Sequence, residues 1–228
     1  MLDHIKGAIF DLDGVIVDTA KYHYLAWARL ARELGFEFTL KDNERLKGVS
    51  RARSLEILLE IGHKSISEPE RSLLAEKKNN WYVEYISCMD ESELLKGARE
   101  YIVKLKNQGT RVALGSASKN APMILNNLNI MELFDAVIDG NRVSKAKPDP
   151  EVFSLGASEL GLAPIDCVVF EDAEAGVEAA RRAGMKVVGI GRKEILKDAD
   201  LVVAGLYELL TNHNKNIKIV TNTLQKIK

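Results

Sequence analysis

The chain has few cysteines, no long hydrophobic run and almost no net charge. Two cysteines among 228 residues, Cys88 and Cys167, are too few for a disulfide framework or a thiolate zinc site. No stretch approaches the roughly 20 apolar residues that span a bilayer. The 32 basic and 33 acidic residues leave a net charge of −1, which gives no global attraction to nucleic acid or to anionic membranes. We therefore expect a cytoplasmic protein that binds neither nucleic acid nor membrane, and we expect a monomer.

Short buried strands alternate with helical patterns through most of the chain. Apolar, β-branched runs predict strands at 7–10, 111–115, 135–139, 167–170 and 186–191. Helical patterns lie between them at 98–108, 121–128, 150–160 and 173–183. This alternation predicts an α/β fold with a doubly wound, Rossmann-like parallel sheet that is covered on both faces.

Residues 18–93 interrupt the alternation, because they contain helical patterns and no convincing strand. The patterns cover 21–35, 51–62 and 70–86. A block of about 75 residues is too long for an ordinary connection between a strand and a helix. We therefore predict an inserted all-helical cap domain at 18–93 and a discontinuous α/β core made of 1–17 and 94–228. The polar, basic tail after Asn212 is compatible with a helix, a strand or a disordered segment.

Two carboxylates follow the first predicted strand in the sequence AIFDLDG. Asp11 and Asp13 are two residues apart in an extended segment, so both side chains can address one site at the carboxyl end of the strand. An EF-hand loop is excluded, because the glycine falls at position 4 rather than 6 and position 12 is Tyr22. From these two residues alone, a pair of solvated loop acids is the alternative.

A second acidic pair ends another predicted strand, in the sequence CVVFEDAEAG. Glu171 and Asp172 would meet the first pair at the same edge of the sheet, where four carboxylates repel one another unless a divalent cation binds. An all-oxygen set of donors suits Mg²⁺, which is held by a few carboxylates together with water and substrate phosphate. The two residues can also cap the helix that begins at Ala173, which does not exclude metal binding.

Hydroxyl and ammonium groups follow the remaining strands. Ser116 and Ser118 lie between the second strand and a helix, where hydroxyls and backbone N–H groups can receive an anion. Lys145 and Lys147 come just before Pro148, a rigid residue that can aim an ammonium group into a cleft. A serine, a lysine and two acidic pairs at successive strand ends predict a site for a phosphoryl group and Mg²⁺.

In this order, the motifs resemble those of the haloacid dehalogenase superfamily of phosphotransferases. DLDGVIVDT resembles the first motif, Ser116 the second, Lys147 the third, and Glu171 with Asp172 the fourth. The helical block resembles the type 1 cap of that superfamily. The resemblance covers the chain up to about residue 205.

The resemblance implies a role for each motif residue. Asp11 would be the nucleophile that forms an aspartyl-phosphate, and Asp13 the general acid and base. Ser116 and Lys147 would hold the other phosphoryl oxygens. The metal ligands that the resemblance implies are Asp11, Asp13 through its backbone carbonyl, Glu171 and Asp172.

Four further segments are similar to the β-phosphoglucomutase family within this superfamily. They are DTAKYHYLAW (18–27), LKGVSR (46–51), AEKKN (75–79) and SASKN (116–120). The similarity implies a Mg²⁺-dependent isomerase of carbohydrate metabolism that is transiently a phosphoprotein. It would interconvert β-D-glucose 1-phosphate and glucose 6-phosphate through glucose 1,6-bisphosphate, so its partner would be a small phosphosugar.

Closure of the cap over the core is implied to complete the site. Thr19 and Lys47 would position Asp13 as the cap closes, and closure would keep water from the aspartyl-phosphate. Arg51 suits the distal phosphate of the bisphosphate, because its planar guanidinium binds two oxygens at once.

The same similarity assigns substrate binding to residues of the cap and of the second motif. For His23 and Trp27, packing within the cap is an alternative to substrate contact. The implied set is Thr19, His23, Trp27, Lys47, Gly48, Val49, Ser50, Arg51, Lys78, Ala117, Ser118, Lys119 and Asn120.

Two other functions are compatible with the motifs. A sugar-phosphate phosphatase on the same fold would differ in that water, rather than a sugar hydroxyl, attacks the phosphorylated Asp11. A non-catalytic phosphosugar-binding protein is less favoured, because such a protein is expected to lose a catalytic residue and none is missing. Arg51 and the segment Ser118–Asn120 favour the mutase, since they supply a second phosphate site.

Overall fold

A single parallel sheet forms the centre of the structure, a computed structural model that describes residues 5–46 and 50–211. Within these residues the strands are β1 Gly7–Phe10, β2 Arg111–Gly115, β3 Ala136–Ile138, β4 Cys167–Glu171, β5 Lys186–Ile190 and β6 Leu201–Val203. They are arranged in the order β3-β2-β1-β4-β5-β6. The predicted doubly wound α/β sheet is therefore confirmed, and its direction of winding reverses between β1 and β4.

Helices occupy the predicted insertion and cover the sheet. The α-helices of the described residues are α1 Ala20–Glu33, α2 Leu40–Asn43, α3 Arg51–Ile61, α4 Glu68–Ser87, α5 Ala98–Asn107, α6 Ala121–Asn127, α7 Glu151–Glu159, α8 Glu174–Arg182 and α9 Tyr207–Thr211. The first four belong to the insertion, where α1 packs against α4. Over 5–46 and 50–211, no helix has the length and apolar character needed to cross a bilayer.

Both faces of the sheet are buried, as the continuous apolar strands predict. Phe10 and Phe170 belong to one core cluster, and their rings stack with centroids 4.4 Å apart. Ile9 and Val169, their neighbours along the strands, belong to the cluster on the opposite face. Because side chains alternate across a strand, each strand contributes to both clusters and its polar residues are confined to its ends.

The two segments that connect the sheet to the inserted helices run side by side. Val17 and Leu94 form an antiparallel bridge, and the N–H of Leu95 donates a hydrogen bond of 2.8 Å to the carbonyl of Ile16. The boundaries predicted at 18 and 94 fall at this crossing. The division into a core domain and a cap domain remains a prediction.

Three short elements were not predicted. β6 has three residues, α2 has four and α9 has five, which is too short for a period of two or of 3.6 residues to be recognised. β3 is also shorter than the predicted strand at 135–139. The tail after Asn212 lies outside the described residues.

Candidate active site

The first acidic motif lies at the point where the winding of the sheet reverses. The N–H of Asp11 donates a hydrogen bond of 2.9 Å to the carbonyl of Phe170, which holds the end of β1 beside the end of β4. Gly14 then turns the chain with φ of +75°, and a Cβ at this position would lie 2.1 Å from Oδ2 of Asp172. Only glycine allows the first motif to approach the fourth this closely.

Lys147 connects the two acidic motifs. Its Nζ lies 2.5 Å from Oδ1 of Asp11 and 3.2 Å from Oε2 of Glu171. It also lies 4.7 Å from the centre of the Phe153 ring. Burial alone would lower the pKa of Lys147, but the charges of Asp11 and Glu171 outweigh it and raise that pKa above its usual range. The ammonium group is therefore a fixed positive charge beside the candidate nucleophile.

Three carboxylates form a cluster that could hold a metal ion. Asp11, Glu171 and Asp172 each offer an oxygen atom within 4.8 Å of the others. Burial, and then the charge of Asp11, raise the pKa of Glu171 well above its usual range. The carboxyl group of Asp172 faces this cluster although the residue is exposed, and the same two effects raise its pKa to about 7. One lysine does not balance these acids, so the donor set fits a divalent cation.

The alternative that the fourth motif only caps a helix finds no support. Ala173 is the N-cap of α8, and no side chain makes a capping hydrogen bond there. A Cβ on Gly176 would lie 2.0 Å from Oε1 of Glu171, so this glycine leaves room for the carboxylate.

Asp13 is separate from the carboxylate cluster and is engaged by the start of the helical insertion. The hydroxyl of Thr19 donates a hydrogen bond to Oδ1 of Asp13, and Thr19 is itself fully buried. Burial, and then the charge of Asp11, raise the pKa of Asp13 to about 6. A carboxyl group with this pKa can donate and accept a proton near neutral pH. Whether its backbone carbonyl binds metal remains a prediction.

The loop after β2, residues 116–120, carries the second motif. Ser116 is buried, and its hydroxyl accepts a hydrogen bond of 3.1 Å from the N–H of Ser118. The hydroxyl of Ser118 accepts one of 3.3 Å from the N–H of Asn120, the N-cap of α6. Ala117 and Lys119 are exposed between them. The loop is therefore ordered by its own hydroxyls at the edge of the sheet that carries the acids.

A second group of predicted residues comes together inside the helical insertion. Nζ of Lys78 lies 2.8 Å from Nδ1 of His23 and 4.9 Å from the centre of the Tyr82 ring, on which His23 stacks at 4.0 Å. Lys78 is only 2 % exposed and lies 4.5 Å from the centre of the Trp27 ring. Burial, and then Arg51, lower the pKa of Lys78 to about 7. Burial, and then Lys78 and Arg51, lower the pKa of His23 well below its usual range.

The segment before α3 is only partly described. The hydroxyl of Ser50 accepts a hydrogen bond of 3.3 Å from the N–H of Arg53 and caps α3, and Arg51 is the exposed first residue of that helix. The predicted substrate residues of this segment that lie outside the described residues are Lys47, Gly48 and Val49.

Two residues at the site were not predicted from the sequence, and one candidate, Lys145, makes its contact elsewhere. Phe153 lies beneath Lys147, and nothing in the sequence indicates this contact. Tyr82 follows Lys78 by four positions on the same helix, a spacing that places the two on one face and could have suggested it. Lys145 instead forms an exposed ion pair of 3.5 Å with Asp149.

Comparison with known proteins agrees with this geometry. The profile of the family described as haloacid dehalogenase-like hydrolase matches residues 8–190. The chain is 43 % identical to a β-phosphoglucomutase of Bacillus subtilis over 87 % of its own length and 89 % of the relative. It is 32 % identical to a phosphorylated carbohydrates phosphatase of Thermotoga maritima, over 80 % and 83 % of the two chains. The crystal structure of a β-phosphoglucomutase from Clostridium difficile superposes with a TM-score of 0.84, at 44 % identity, covering 90 % of this chain and 93 % of the other.

Proposed function

The chain belongs to the haloacid dehalogenase-like hydrolase family, and we propose that it is a β-phosphoglucomutase. The observation that carries this proposal is the similarity, over nearly the whole chain, to a β-phosphoglucomutase. The enzyme would be a phosphosugar mutase that interconverts β-D-glucose 1-phosphate and glucose 6-phosphate. We further propose that it acts as a cytoplasmic monomer on this small substrate.

The reaction requires two phosphoryl transfers through Asp11. In the first, the phosphorylated Asp11 gives its phosphoryl group to the 6-hydroxyl of glucose 1-phosphate. The products are glucose 1,6-bisphosphate and the free carboxylate of Asp11. After the bisphosphate turns around, Asp11 attacks its 1-phosphate. The bond between phosphorus and the sugar oxygen breaks, glucose 6-phosphate leaves, and Asp11 is phosphorylated again.

Asp13 and Lys147 are suited to the two other chemical tasks. Asp13 would take the proton of the attacking hydroxyl in the first transfer and return a proton to the leaving sugar oxygen in the second. Its hydrogen bond from Thr19 links the acid–base group to the beginning of the helical insertion. Lys147 would stay charged and neutralise the phosphoryl oxygens next to Asp11, together with the hydroxyl of Ser116.

The carboxylate cluster fits a divalent cation, and we propose Mg²⁺. Asp11, Glu171 and Asp172 would hold it, with the backbone carbonyl of Asp13 as a further ligand. When bound, the ion would neutralise charge on the transferring phosphoryl group. The chain contributes the rigid placement of these acids at the ends of β1 and β4.

A mutase must also hold the phosphate that is not reacting. We propose that Arg51 and the Ser118–Asn120 segment hold it, with Lys78 contributing its charge. The other cap residues predicted for the sugar are Thr19, His23, Trp27, Lys47, Gly48, Val49 and Ser50, and Ala117 would join them from the core.

A phosphatase is the second candidate, favoured by the similarity to the Thermotoga maritima enzyme. Both candidates share the phosphorylated Asp11 and differ in whether a sugar hydroxyl or water removes the phosphoryl group. Phosphorus NMR of the protein with Mg²⁺, β-glucose 1-phosphate and a trace of glucose 1,6-bisphosphate separates them. We expect the signal of glucose 6-phosphate, whereas inorganic phosphate would select the phosphatase and an unchanged spectrum a binding protein. Asp11→Asn should abolish turnover, and near-normal activity in that variant would refute the nucleophile assignment.

A further inference from the structure

The loop that follows β3, residues 139–141, is bonded to the outer side of the 116–120 loop. The N–H of Gly140 donates a hydrogen bond of 3.1 Å to the carbonyl of Ser118. The side-chain amide of Asn141 donates one of 3.2 Å to the carbonyl of Lys119. Two successive carbonyls of the proposed phosphate-binding loop are therefore held by one neighbouring loop.

The donor side chain in this contact is itself fixed. Asp139 is buried, and its Oδ1 accepts a hydrogen bond of 2.9 Å from the N–H of Asn141. Its Oδ2 accepts one of 3.0 Å from the side-chain amide of the same residue. Since this leaves Asn141 little rotational freedom, its amide is preset toward the carbonyl of Lys119.

The two loops also approach each other too closely for any side chain at the middle position. A Cβ on Gly140 would lie 2.2 Å from the carbonyl oxygen of Ala117. Glycine at this position is thus required by the contact itself rather than by its own backbone conformation. The three atoms nearest to such a Cβ all belong to the 116–120 loop, so Gly140 marks where the two loops touch.

Fixing a carbonyl also fixes the N–H group on the other side of the same peptide. A trans peptide is planar, with C=O and N–H pointing in opposite directions. The bond from Gly140 to the carbonyl of Ser118 therefore turns the N–H of Lys119 away from the 139–141 loop. Over 5–46 and 50–211, no protein group accepts a hydrogen bond from this N–H. A fixed N–H without a protein acceptor is available to an anion.

From these contacts we propose that Asn141, oriented by Asp139, is a positioning residue for the distal phosphate of a bisphosphorylated sugar. It acts through the 116–120 loop without touching the substrate: Asn141 fixes the peptide that follows Lys119, and Gly140 fixes the peptide that precedes it and carries the Lys119 N–H. This inference rests on the proposed function, since it assumes that the loop holds the phosphate that is not reacting. It predicts that the 139–141 loop controls which phosphoryl donors are accepted and leaves the transfer to Asp11 unaffected.

Two phosphoryl donors separate these effects. Glucose 1,6-bisphosphate needs both phosphate positions, whereas acetyl phosphate has one phosphoryl group and needs only the position at Asp11. For Asn141→Ala we expect KM for the bisphosphate to rise about tenfold, as for one misaligned charge-assisted hydrogen bond, with kcat little changed. The rate of Asp11 phosphorylation by acetyl phosphate should stay within about twofold.

Arg142→Ala is the matched control. Arg142 is the next residue, and its guanidinium donates a hydrogen bond of 3.1 Å to the carbonyl of Val137 in β3, not to the 116–120 loop. This variant should leave both donors unaffected. If Asn141→Ala does not fold, Gly140→Ala is the substitute variant. It forces a methyl group against the carbonyl of Ala117 and should raise KM for the bisphosphate in the same selective way.

The outcomes are distinguishable from failure of the proposed function. A loss that is equal for both donors, or no loss for either in a variant that melts like the wild type, would overturn the positioning role. If the wild type releases inorganic phosphate from β-glucose 1-phosphate and does not convert it to glucose 6-phosphate, the mutase proposal fails. The comparison of the two donors would still decide whether the 139–141 loop acts on the distal phosphate.

Discussion

Replacing the buried Lys78 with methionine should make the protein more stable. The ammonium group is 2 % exposed, and its one hydrogen bond among the described residues goes to a histidine, His23, rather than to a carboxylate. Arg51 adds a second positive charge nearby. Burying a charge without an opposite partner is costly, and the pKa of Lys78 falls to about 7 as a result.

The size of the effect follows from this shift. The pKa drops from 10.5 to about 7, and at pH 7 about half of the folded molecules keep the proton, so the cost is about three pKa units or roughly 4 kcal/mol. The hydrogen bond to His23 returns about 1 kcal/mol, and the contact of the ammonium group with the Trp27 ring returns about 1 kcal/mol more. We therefore expect Lys78→Met, which keeps the length of the side chain, to raise the free energy of unfolding by about 2 kcal/mol at pH 7.

The pH dependence of stability tests the direction of this effect a second time. A lysine whose pKa is lowered in the folded state binds fewer protons there than in the unfolded chain between about pH 7 and pH 10. The wild type should therefore gain stability as the pH rises through this window, by up to about 1.4 kcal/mol per pH unit. Lys78→Met should lack that gain, so the advantage of the variant should shrink as the pH rises.

Urea unfolding of both proteins at several pH values between about 6 and 9 measures the effect. Lys77→Met is the matched control, because Lys77 is the preceding residue of α4, its side chain is 50 % exposed, and it pairs with Glu33 at 2.5 Å. Breaking an exposed pair should change stability by less than about 1 kcal/mol, without a pH trend. If Lys78→Met is less stable than the wild type at pH 7, or keeps its advantage unchanged to pH 9, the reasoning from the buried charge is wrong.

Two further substitutions test the geometry of the site. Gly14→Ala would place a Cβ 2.1 Å from Oδ2 of Asp172, so we expect the apparent Kd for Mg²⁺, measured from activity, to rise about tenfold or more. Gly35→Ala introduces the same backbone strain at φ +83° with nothing within 4 Å, and a similar loss of Mg²⁺ affinity in that control would contradict the steric argument. Tyr82→Phe should raise the free energy of unfolding by about 1 kcal/mol in urea titrations, because the buried hydroxyl of Tyr82 has no hydrogen-bond partner among the described residues. A destabilised Tyr82→Phe would show that this hydroxyl is satisfied.

The sheet was predictable because its strands are buried on both faces. Continuous apolar runs such as Ala8–Phe10 and Cys167–Phe170, separated by helical patterns, are typical of parallel strands that helices cover on both sides. β6 at Leu201–Val203 was not predictable in this way, since three residues at the edge of a sheet carry no period. The order of the strands also had to come from the structure, because the reversal at β1 depends on how the crossovers pack.

The candidate site was predictable where its residues follow strands. The carboxyl ends of parallel strands meet at one edge, so Asp11 and Glu171 could be placed together from the sequence. Contacts between loops and helices far apart in the chain leave no such signal. The ring of Phe153 under Lys147 and the amide of Asn141 on the 116–120 loop both depend on three-dimensional packing.

Buried charged or unpaired polar groups lie on both sides of the proposed site. On the sheet side, burial and then the charge of Asp11 raise the pKa values of Glu171 and Asp172. On the helical side, the described residues offer no carboxylate to the buried Lys78 and no hydrogen-bond partner to the buried hydroxyl of Tyr82. Each is unfavourable for folding alone, and selection for stability would replace it with an apolar residue. The charged groups would be balanced by ligands that bind between the two sides: a divalent cation for the acids and a phosphate for Lys78. Only burial and charge enter here, so the support that they give to the proposed site does not depend on the resemblance to other proteins.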